Sequence, residues 1–344
     1  MNALKVVIFG AGSIGLYCGG LLVNGGVDVT FIGRERFKQT LAKDGFKLTH
    51  YANPILHIPS NKFSFETSPN KAAAQLKAAD VVIMCVKTQD TAQAARDLSD
   101  YIRDDTLVMS FQNGLRNTAL LSGEIVNCDR ILGAVVPFNV TPTDEMTWHC
   151  GTEGYLSIQS KDDPRMSALK AAFAVSGQSV EFFDDIIPVQ WGKLLVNLNN
   201  GLNTLSGVPL KQALGDKAYR LCLAAMIEEA LVILSHAKIT PAAFGKTSPQ
   251  KTIKILRLPN WLYGIIMNSV IKIDAAARSS MLDDLEAGRP CEIDYLQGEV
   301  IAMAKRQGLE APINEAVMAL VLEAFNQGVS PKMSAVEMRQ KIMG

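Results

Sequence analysis

The sequence predicts a two-domain protein, with an α/β domain at the N-terminus followed by an all-α domain. Two observations support this prediction. Short apolar runs typical of buried parallel strands recur from Val6 to Phe183. Beyond Asp184, almost every segment has apolar residues at helical spacing. We therefore expect one domain over residues 1–184 and a second over residues 185–344, each long enough to bury its own core.

Composition excludes several classes of partner. Acidic and basic residues balance at 34 each, so no net field attracts nucleic acid or an anionic membrane. The six cysteines are scattered without a C-x-x-C pair, which indicates reduced core residues and no metal site. The first strand begins at once, and the apolar stretch over residues 261–273 is too short to span a bilayer. We expect a cytoplasmic protein.

A glycine motif follows the first apolar run. Gly10, Gly12 and Gly15 have the G-x-G-x-x-G spacing, and a helical segment begins after them. In this order the first glycine permits a tight turn and the second lets the backbone approach a pyrophosphate. The third lets the helix pack closely on the sheet. The motif predicts a Rossmann-type domain with a dinucleotide site, the alternative being a plain βα turn. The candidate cofactor loop comprises Gly10, Ala11, Gly12, Ser13, Ile14 and Gly15.

The residues after the second and third apolar strands bear on the choice of dinucleotide. Arg34 follows the strand over residues 27–32, where an acidic residue would select NAD and a basic one suits a 2′-phosphate. Arg34 therefore favours NADPH, unless it is only a solvated loop charge. Lys87 follows the strand over residues 79–86 and is a candidate for a phosphate or ribose contact, although a lone lysine there is usually solvated.

Asn113 follows the strand over residues 106–111 and precedes Gly114. Asn-Gly is a common turn, so a purely structural role has about equal weight. The carboxyl ends of parallel strands face the ligand crevice, and this position makes Asn113 a candidate site residue.

A polar stripe runs along the predicted helix over residues 189–205. Lys193, Asn197, Asn200 and Thr204 lie at steps of four, three and four on one face, and leucines cover most of the rest. Buried amides and hydroxyls need partners, either within the protein or on a polar ligand. The lysine at the head of the stripe favours a ligand in a cleft.

A second polar cluster lies within residues 279–294. Ser280 belongs to one predicted helix, and Glu292 opens the next, over residues 292–307. A carboxylate is favoured at a helix N-terminus, which explains Glu292 more simply than catalysis does. Its spacing from Lys193 does not pair the two residues.

Together these features resemble the ketopantoate reductase family. The resemblance runs along nearly the whole chain, in family order, and no single motif is specific by itself. The matching motifs are Gly-Ala-Gly-Ser-Ile-Gly at residues 10–15, Lys87-Thr88, Asn113-Gly114, Trp191-x-Lys193-x-x-x-Asn197, Ser280-Met281-Leu282 and Glu292-Ile293-Asp294-Tyr295.

The resemblance implies an NADPH-dependent reductase of a 2-keto acid, most simply ketopantoate to pantoate in pantothenate biosynthesis. It implies that Lys193 is the general acid and Glu292 the essential carboxylate. Asn197 and Ser280 match substrate ligands, and Lys87 matches a cofactor contact. Asn113 matches a residue near both the nicotinamide and the reacting carbonyl.

Two departures put the substrate in question. Gly201 stands where the pantoate-forming enzymes carry a second Asn, and residues 206–211 lack another expected Asn. Residues 245–273 resemble an insertion, which could line a larger pocket, form a lid, make a homodimer contact or simply pack in the core. A reductase of a bulkier 2-keto acid is therefore an alternative, and a non-catalytic NADPH sensor is a third. Retention of both Lys193 and Glu292 argues against the sensor.

Overall fold

The computed structural model of the chain describes residues 3–51, 53–125, 128–245, 247–270 and 278–344. The chain divides into two compact units, Met1–Ile186 and Ile187–Gly344. The first unit is α/β and the second is built from helices. The predicted fold class, a Rossmann-type α/β domain followed by an all-α domain, is confirmed.

The described part of the first unit contains twelve strands. They are β1 (Lys5–Phe9), β2 (Asp28–Ile32), β3 (Phe46–His50), β4 (Leu56–Ile58), β5 (Phe63–Glu66), β6 (Val81–Met84), β7 (Leu107–Ser110), β8 (Ile131–Val135), β9 (Val140–Asp144), β10 (Thr147–Cys150), β11 (Leu156–Gln159) and β12 (Val180–Phe183).

Eight of these strands form one sheet in the order β12-β11-β8-β7-β6-β1-β2-β5. The six strands from β8 to β5 pair in parallel, whereas β11 is antiparallel to β8. Numbered by their order along the chain, these six strands have the 3-2-1-4-5-6 order of a dinucleotide-binding fold. In this order, successive strands are added first on one side of β1 and then on the other, so the strand order reverses beside β1. Ligands of such sheets bind at the carboxyl ends of the strands near that point.

Helices cover both faces of the large sheet. They are α1 (Ser13–Asn24), α2 (Glu35–Asp44), α3 (Ala73–Ala78), α4 (Thr91–Ser99), α5 (Asn117–Ser122) and α6 (Pro164–Val175). Alternate residues of β1 enter different cores: Val6 and Ile8 join one apolar cluster, and Val7 and Phe9 join the other. This two-sided burial explains why the strand is apolar along its whole length.

A four-stranded sheet, in the order β4-β3-β10-β9, adds a further layer to the first unit. It packs on α1, where a Cβ on Gly20 would lie 2.8 Å from both Leu48 and Phe46. The sequence pattern over residues 46–58 indicates only short strands or a loop. It does not predict this sheet, because β3 pairs with β10, about a hundred residues further along the chain.

The second unit contains ten α-helices within the described residues. They are α7 (Ile187–Asn197), α8 (Asn199–Ser206), α9 (Leu210–Gly215), α10 (Lys217–His236), α11 (Pro249–Leu256), α12 (Asn260–Val270), α13 (Ser280–Glu286), α14 (Gln297–Arg306), α15 (Pro312–Gln327) and α16 (Ala335–Met343).

Two of the predicted helices are interrupted. The predicted helix over residues 189–205 is split at Leu198, between α7 and α8. The predicted helix over residues 292–307 begins instead as a three-residue 3-10 turn, Ile293–Tyr295, and α14 starts only at Gln297. Both interruptions lie beside candidate site residues.

The stretch over residues 245–273 is anchored by a buried arginine, although residues 246 and 271–273 lie outside the described residues. Arg220 is fully buried and donates hydrogen bonds to the carbonyl groups of Leu214, Gly215, Leu256 and Leu258. These carbonyls lie at the C-terminal ends of α9 and α11, where the helix dipoles favour a cation. The part of residues 245–273 that contains α11 is therefore packed into the core.

Other features of the described residues concern membranes and metals. None of the described helices is long and apolar enough to cross a membrane. The described residues also contain no group of three or more His, Cys, Asp or Glu side chains placed to hold a metal ion.

Candidate functional site

The glycine turn after β1 is held against the end of β2. The N–H groups of Gly10 and Ala11 both donate to the carbonyl oxygen of Ile32, at 3.0 Å each. Gly10 has a φ of +109°, and a Cβ there would lie 2.7 Å from the backbone of Cys85. Only glycine permits this turn, because an L side chain would be both strained and blocked.

The other two glycines fit the roles expected for a pyrophosphate site. A Cβ on Gly15 would lie 2.2 Å from the carbonyl oxygen of Gly10, so α1 packs closely on the turn. A Cβ on Gly12 would meet no heavy atom of the described residues within 4 Å, which leaves the N-terminus of α1 open. This N-terminus has no side-chain cap and no acidic residue in its first turn. Its N–H groups and dipole suit an anion, so the turn fits a dinucleotide.

Three basic residues follow β2, and they have different surroundings. Lys38 pairs with Glu66, with 2.8 Å between Nζ and Oε2, and the Arg36 guanidinium lies 4.7 Å from the centre of the Phe37 ring. Arg34 is exposed at the N-cap of α2 and makes no ion pair with another described residue. Of the three, Lys38 is neutralised by a carboxylate, whereas Arg34, at the start of α2, and Arg36 are exposed to solvent.

The ends of β6 and β7 are joined through the backbone of Asn113. Its carbonyl oxygen accepts hydrogen bonds from Thr88 Oγ1 at 3.0 Å and from Asn117 Nδ2 at 2.7 Å. The side chains of Asn113 and Lys87 are exposed, and Gly114 has a φ of +94°. The turn is held from inside the protein, which leaves the Asn113 amide on the surface.

A buried polar network extends behind this turn. Gln112 Nε2 donates to Thr91 Oγ1 at 2.6 Å and to the carbonyl of Val86 at 3.0 Å. Ser110 Oγ donates to Gln112 Oε1, and Thr91 Oγ1 donates to Asn117 Oδ1. These supporting residues are not among those that the sequence pattern predicts for the site. Their signal is the group of polar residues within positions 87–91 and 110–117, around the carboxyl ends of two apolar strands.

Lys193 lies on α7, which packs closely against a neighbouring loop. A Cβ on Gly192 would lie 2.3 Å from the carbonyl oxygen of Ala242, and the N–H of Ala242 donates to the carbonyl of Pro188. Trp191 is fully buried, whereas Lys193 is half-buried. Burial lowers the pKa of Lys193 to about 8, because the ammonium form loses solvation.

The polar stripe does not act as a single surface. Lys193 and Asn197 are half-buried on α7, and Asn200 is half-buried on α8. Thr204 is fully buried, and its hydroxyl donates to the carbonyl of Asn200 at 3.0 Å. Thr204 is therefore satisfied by the protein, and the ligand interpretation of Lys193, Asn197 and Asn200 stays a prediction.

Ser280 is positioned by a buried asparagine, Asn203, which the sequence pattern does not single out. Ser280 is the exposed first residue of α13, and Ser279 caps that helix by accepting from the N–H of Leu282. The N–H of Ser279 donates to Asn203 Oδ1 at 2.9 Å, and Asn203 Nδ2 donates to the carbonyl of Val208. Asn203 thereby joins the C-terminal end of α8 to the start of α13.

Glu292 is the half-buried N-cap of the 3-10 turn that precedes α14. The expectation that it opens an α-helix is wrong, because the backbone at Leu296 (φ −120°, ψ −89°) separates the turn from α14. A turn of three residues has little dipole, so a simple helix-terminus role explains Glu292 less well than the sequence suggests.

Gly201 does not leave an empty pocket in place of a side chain. A Cβ there would lie 3.0 Å from both Gln297 Nε2 and Val317 Cγ1 and 3.3 Å from Ile293 Cδ1. The departure from the family pattern at this position therefore coincides with tight packing of α8 on the Glu292 segment and α15.

Comparisons with known proteins bear on the family and the fold of the chain. Two adjacent family models cover most of the chain: ketopantoate reductase PanE/ApbA matches residues 6–163, and its C-terminal counterpart matches residues 185–324. The chain is 28% identical to a 2-dehydropantoate 2-reductase of Pyrococcus horikoshii, over 92% of this chain and 96% of that protein.

Two solved structures show the same fold. A PanE/ApbA family ketopantoate reductase from Ralstonia eutropha JMP134 has a TM-score of 0.79 and 25% identity, covering 94% of this chain and 99% of that one. A D-mandelate dehydrogenase, solved with NADH and anilino(oxo)acetate, has a TM-score of 0.77 and 19% identity, with coverage of 94% and 99%.

The fold, the glycine turn and these matches define an oxidoreductase with a nicotinamide cofactor. The chain belongs to the ketopantoate reductase PanE/ApbA family, as the sequence resemblance predicts. The family acts on 2-keto acids. The candidate residues are divided between the units: the glycine loop, Arg34, Lys87 and Asn113 belong to the first, and Lys193, Asn197, Ser280 and Glu292 belong to the second.

Proposed function

We propose that this protein is an NADPH-dependent 2-keto acid reductase, with ketopantoate as its leading substrate and pantoate as the product. The observation that carries the proposal is Lys193, a half-buried lysine whose pKa is lowered to about 8 by burial. A group with a pKa near the working pH is a suitable proton donor, since it is largely protonated yet gives up its proton readily.

The cofactor would be held by the first unit. The open N-terminus of α1 after Gly12 suits the pyrophosphate, and Arg34 suits a 2′-phosphate. Lys87 and Asn113, which follow the adjacent strands β6 and β7, would contact the ribose and nicotinamide side of the dinucleotide. When bound, the reduced nicotinamide supplies a hydride.

Lys193 would perform the acid step. Its ammonium group donates a hydrogen bond to the ketone oxygen and polarises the carbonyl. As hydride adds to the carbon, negative charge develops on that oxygen, and Lys193 transfers a proton to it, giving a 2-hydroxy acid. Glu292 would keep Lys193 protonated and oriented or bind the substrate directly. Asn197, Ser280 and Asn113 would bind the hydroxyl and carboxylate groups.

A direct test is steady-state NADPH oxidation with ketopantoate beside a panel of other 2-keto acids. Efficient turnover of ketopantoate is the expected result. Turnover of a different keto acid alone would retain the reductase chemistry and reject ketopantoate as substrate. NADPH binding without turnover of any keto acid would reject the reductase proposal and favour a sensor.

A second candidate function is the reduction of a bulkier 2-keto acid. Gly201 is its basis, because this position departs from the pantoate-forming pattern and presents no amide to a ligand. The space at Gly201 itself is filled by Gln297, Val317 and Ile293, so any added room for a larger substrate would have to come from elsewhere in the pocket. A higher kcat/KM for an aryl or branched keto acid than for ketopantoate would decide in its favour.

A further inference from the structure

Gln297 forms a hydrogen bond at the junction between α7 and α8. It is fully buried, and its Nε2 donates to the carbonyl oxygen of Leu198 at 2.9 Å and lies 3.9 Å from the sulfur of Met226. Leu198 is the single residue between the two helices, directly after Asn197. The amide therefore contacts the backbone where the chain leaves the helix that bears Lys193.

The environment of the amide oxygen, Oε1, indicates that Gln297 is needed for the hydrogen bond that its Nε2 donates. Gln297 Oε1 is buried and accepts no hydrogen bond from any described residue. An unpaired buried amide oxygen is destabilising, and a methionine of similar length would avoid the penalty. The glutamine is thus explained by the bond that its Nε2 makes to Leu198.

Gly201 provides the space for this bond. A Cβ at position 201 would lie 3.0 Å from Gln297 Nε2, closer than side chains normally approach. Even an alanine would press on the amide, so Gly201 and Gln297 act as a matched pair.

Gln297 also belongs to the segment that carries Glu292. It is the first residue of α14 and follows the 3-10 turn capped by Glu292. Its side chain is thus a direct link between the Glu292 segment and the end of α7.

We propose that Gln297 is a positioning residue, whose bond to Leu198 fixes the α7–α8 junction against the Glu292 segment and so sets where Asn197 presents its amide to the substrate. The inference rests on the proposed function, because Asn197 matters here as a ligand of the keto acid.

The variant Q297M keeps the length of the side chain and removes the donor. The matched control is N314L, because Asn314 is also a fully buried amide of the second unit with one unpaired oxygen in the described structure. Its Nδ2 donates to the carbonyl of Met226 and to Glu229. We expect Q297M to raise KM for the keto acid about five- to tenfold, the worth of one hydrogen bond, with a smaller change in kcat. N314L should reduce thermal stability and leave KM within about twofold.

A conservative variant adds a pH signature. The carboxyl of Q297E can donate to the Leu198 carbonyl only when protonated, so its KM should fall toward the parent value as the pH is lowered, whereas the KM of Q297M should not. An unchanged KM in Q297M, or an equal rise in N314L, would overturn the proposal.

Hydrogen exchange separates this inference from the proposed function. Backbone amides of residues 199–202 should exchange faster in Q297M than in the parent or in N314L, with no ligand present. Equal exchange in all three proteins would refute the positioning role even if the parent is an active reductase. If the parent reduces no 2-keto acid but Q297M still exchanges faster, the reductase function would be rejected. The role of Gln297 in fixing the α7–α8 junction would still be supported.

Discussion

The two groups of candidate residues are built in different ways. In the first unit, the cofactor loop is shaped by close backbone approaches, such as Gly10 against Cys85 and Gly15 against Gly10. In the second unit, site segments are joined by buried amides from distant parts of the chain, Asn203 to Ser279 and Gln297 to Leu198. The first kind of site is signalled by the local spacing of its glycines, even though Gly10 meets Cys85 from far along the chain. The second kind has no such local motif and depends on residue pairs that are 76 and 99 positions apart.

This difference has a consequence for mutation. Backbone geometry tolerates changes in surrounding side chains but not in its glycines. An amide link fails when either partner is altered, because the remaining polar group is left buried and unpaired. We expect substitutions in the first unit to affect mainly cofactor binding, and those in the second to affect mainly the keto acid and proton transfer.

The largest expected effect is that of Lys193→Ala. Loss of a general acid should lower kcat by about two to four orders of magnitude. Binding of NADPH, measured by fluorescence titration, should stay within about twofold of the parent, because the first unit is unchanged. Lys251→Ala, at an exposed lysine of α11, is the control and should leave kcat unaltered. Comparable turnover in Lys193→Ala and the parent would remove the assigned role.

Arg34→Ala should lower the preference for NADPH over NADH, by a factor smaller than the loss of kcat in Lys193→Ala. A charge-assisted hydrogen bond contributes about 1.5–3 kcal/mol, so the NADPH-to-NADH ratio of kcat/KM should fall roughly 10- to 150-fold. Lys38→Ala is the matched comparison, since Lys38 is already paired with Glu66, and we expect a much smaller change. A parent that prefers NADH would contradict the NADPH assignment outright.

The pH dependence should follow the pKa of about 8 of Lys193. Its protonated form is the acid, so kcat/KM should decline as the pH rises through about 8, tending to tenfold per pH unit. Because this pKa lies below the unfolded value of about 10.4, the folded state binds fewer protons between the two, and stability gains from this group as the pH rises across that window.

The control is Lys193→Met, in which this contribution to stability should disappear. Denaturant titrations at several pH values between about 7 and 10.5 measure it. A decline in kcat/KM that begins only near the ordinary lysine pKa of about 10.4 would mean that burial does not tune this residue.

The smallest expected effect concerns two threonines in the first unit. Thr88→Val removes the bond to the carbonyl of Asn113, and Thr106→Val removes a bond to the carbonyl of Ala79, a comparable contact near the other end of β7. Both should lose about 0.5–1.5 kcal/mol of unfolding free energy in denaturant titrations. Only Thr88→Val should also lower kcat/KM, by a few fold, because only it supports a candidate site residue. Equal kinetics in the two variants would make the Asn113 turn purely structural.

Much of this architecture follows from local pattern. The strand–glycine–helix order at residues 6–24, the apolar strands and the change to helical spacing near Asp184 predict the fold class, because each depends on neighbouring residues. The same locality explains the errors. The break at Leu198 and the 3-10 turn after Glu292 are invisible to periodicity, since their distinguishing contacts come from Gln297 and from the backbone at Leu296.

The sequence by itself determined the class of the protein and named the candidate residues. The glycine loop, Arg34, Asn113 and Lys193 are candidates because of their spacing and residue types, whereas Glu292 is a candidate only because of the family resemblance. Only the tertiary structure decided their surroundings. It shows that Lys38 is neutralised and Arg34 is not, that Thr204 is satisfied internally, and that Gly201 holds space for an amide from α14. Burial and hydrogen-bond partners are properties of packed segments, and packing joins residues that local sequence leaves far apart.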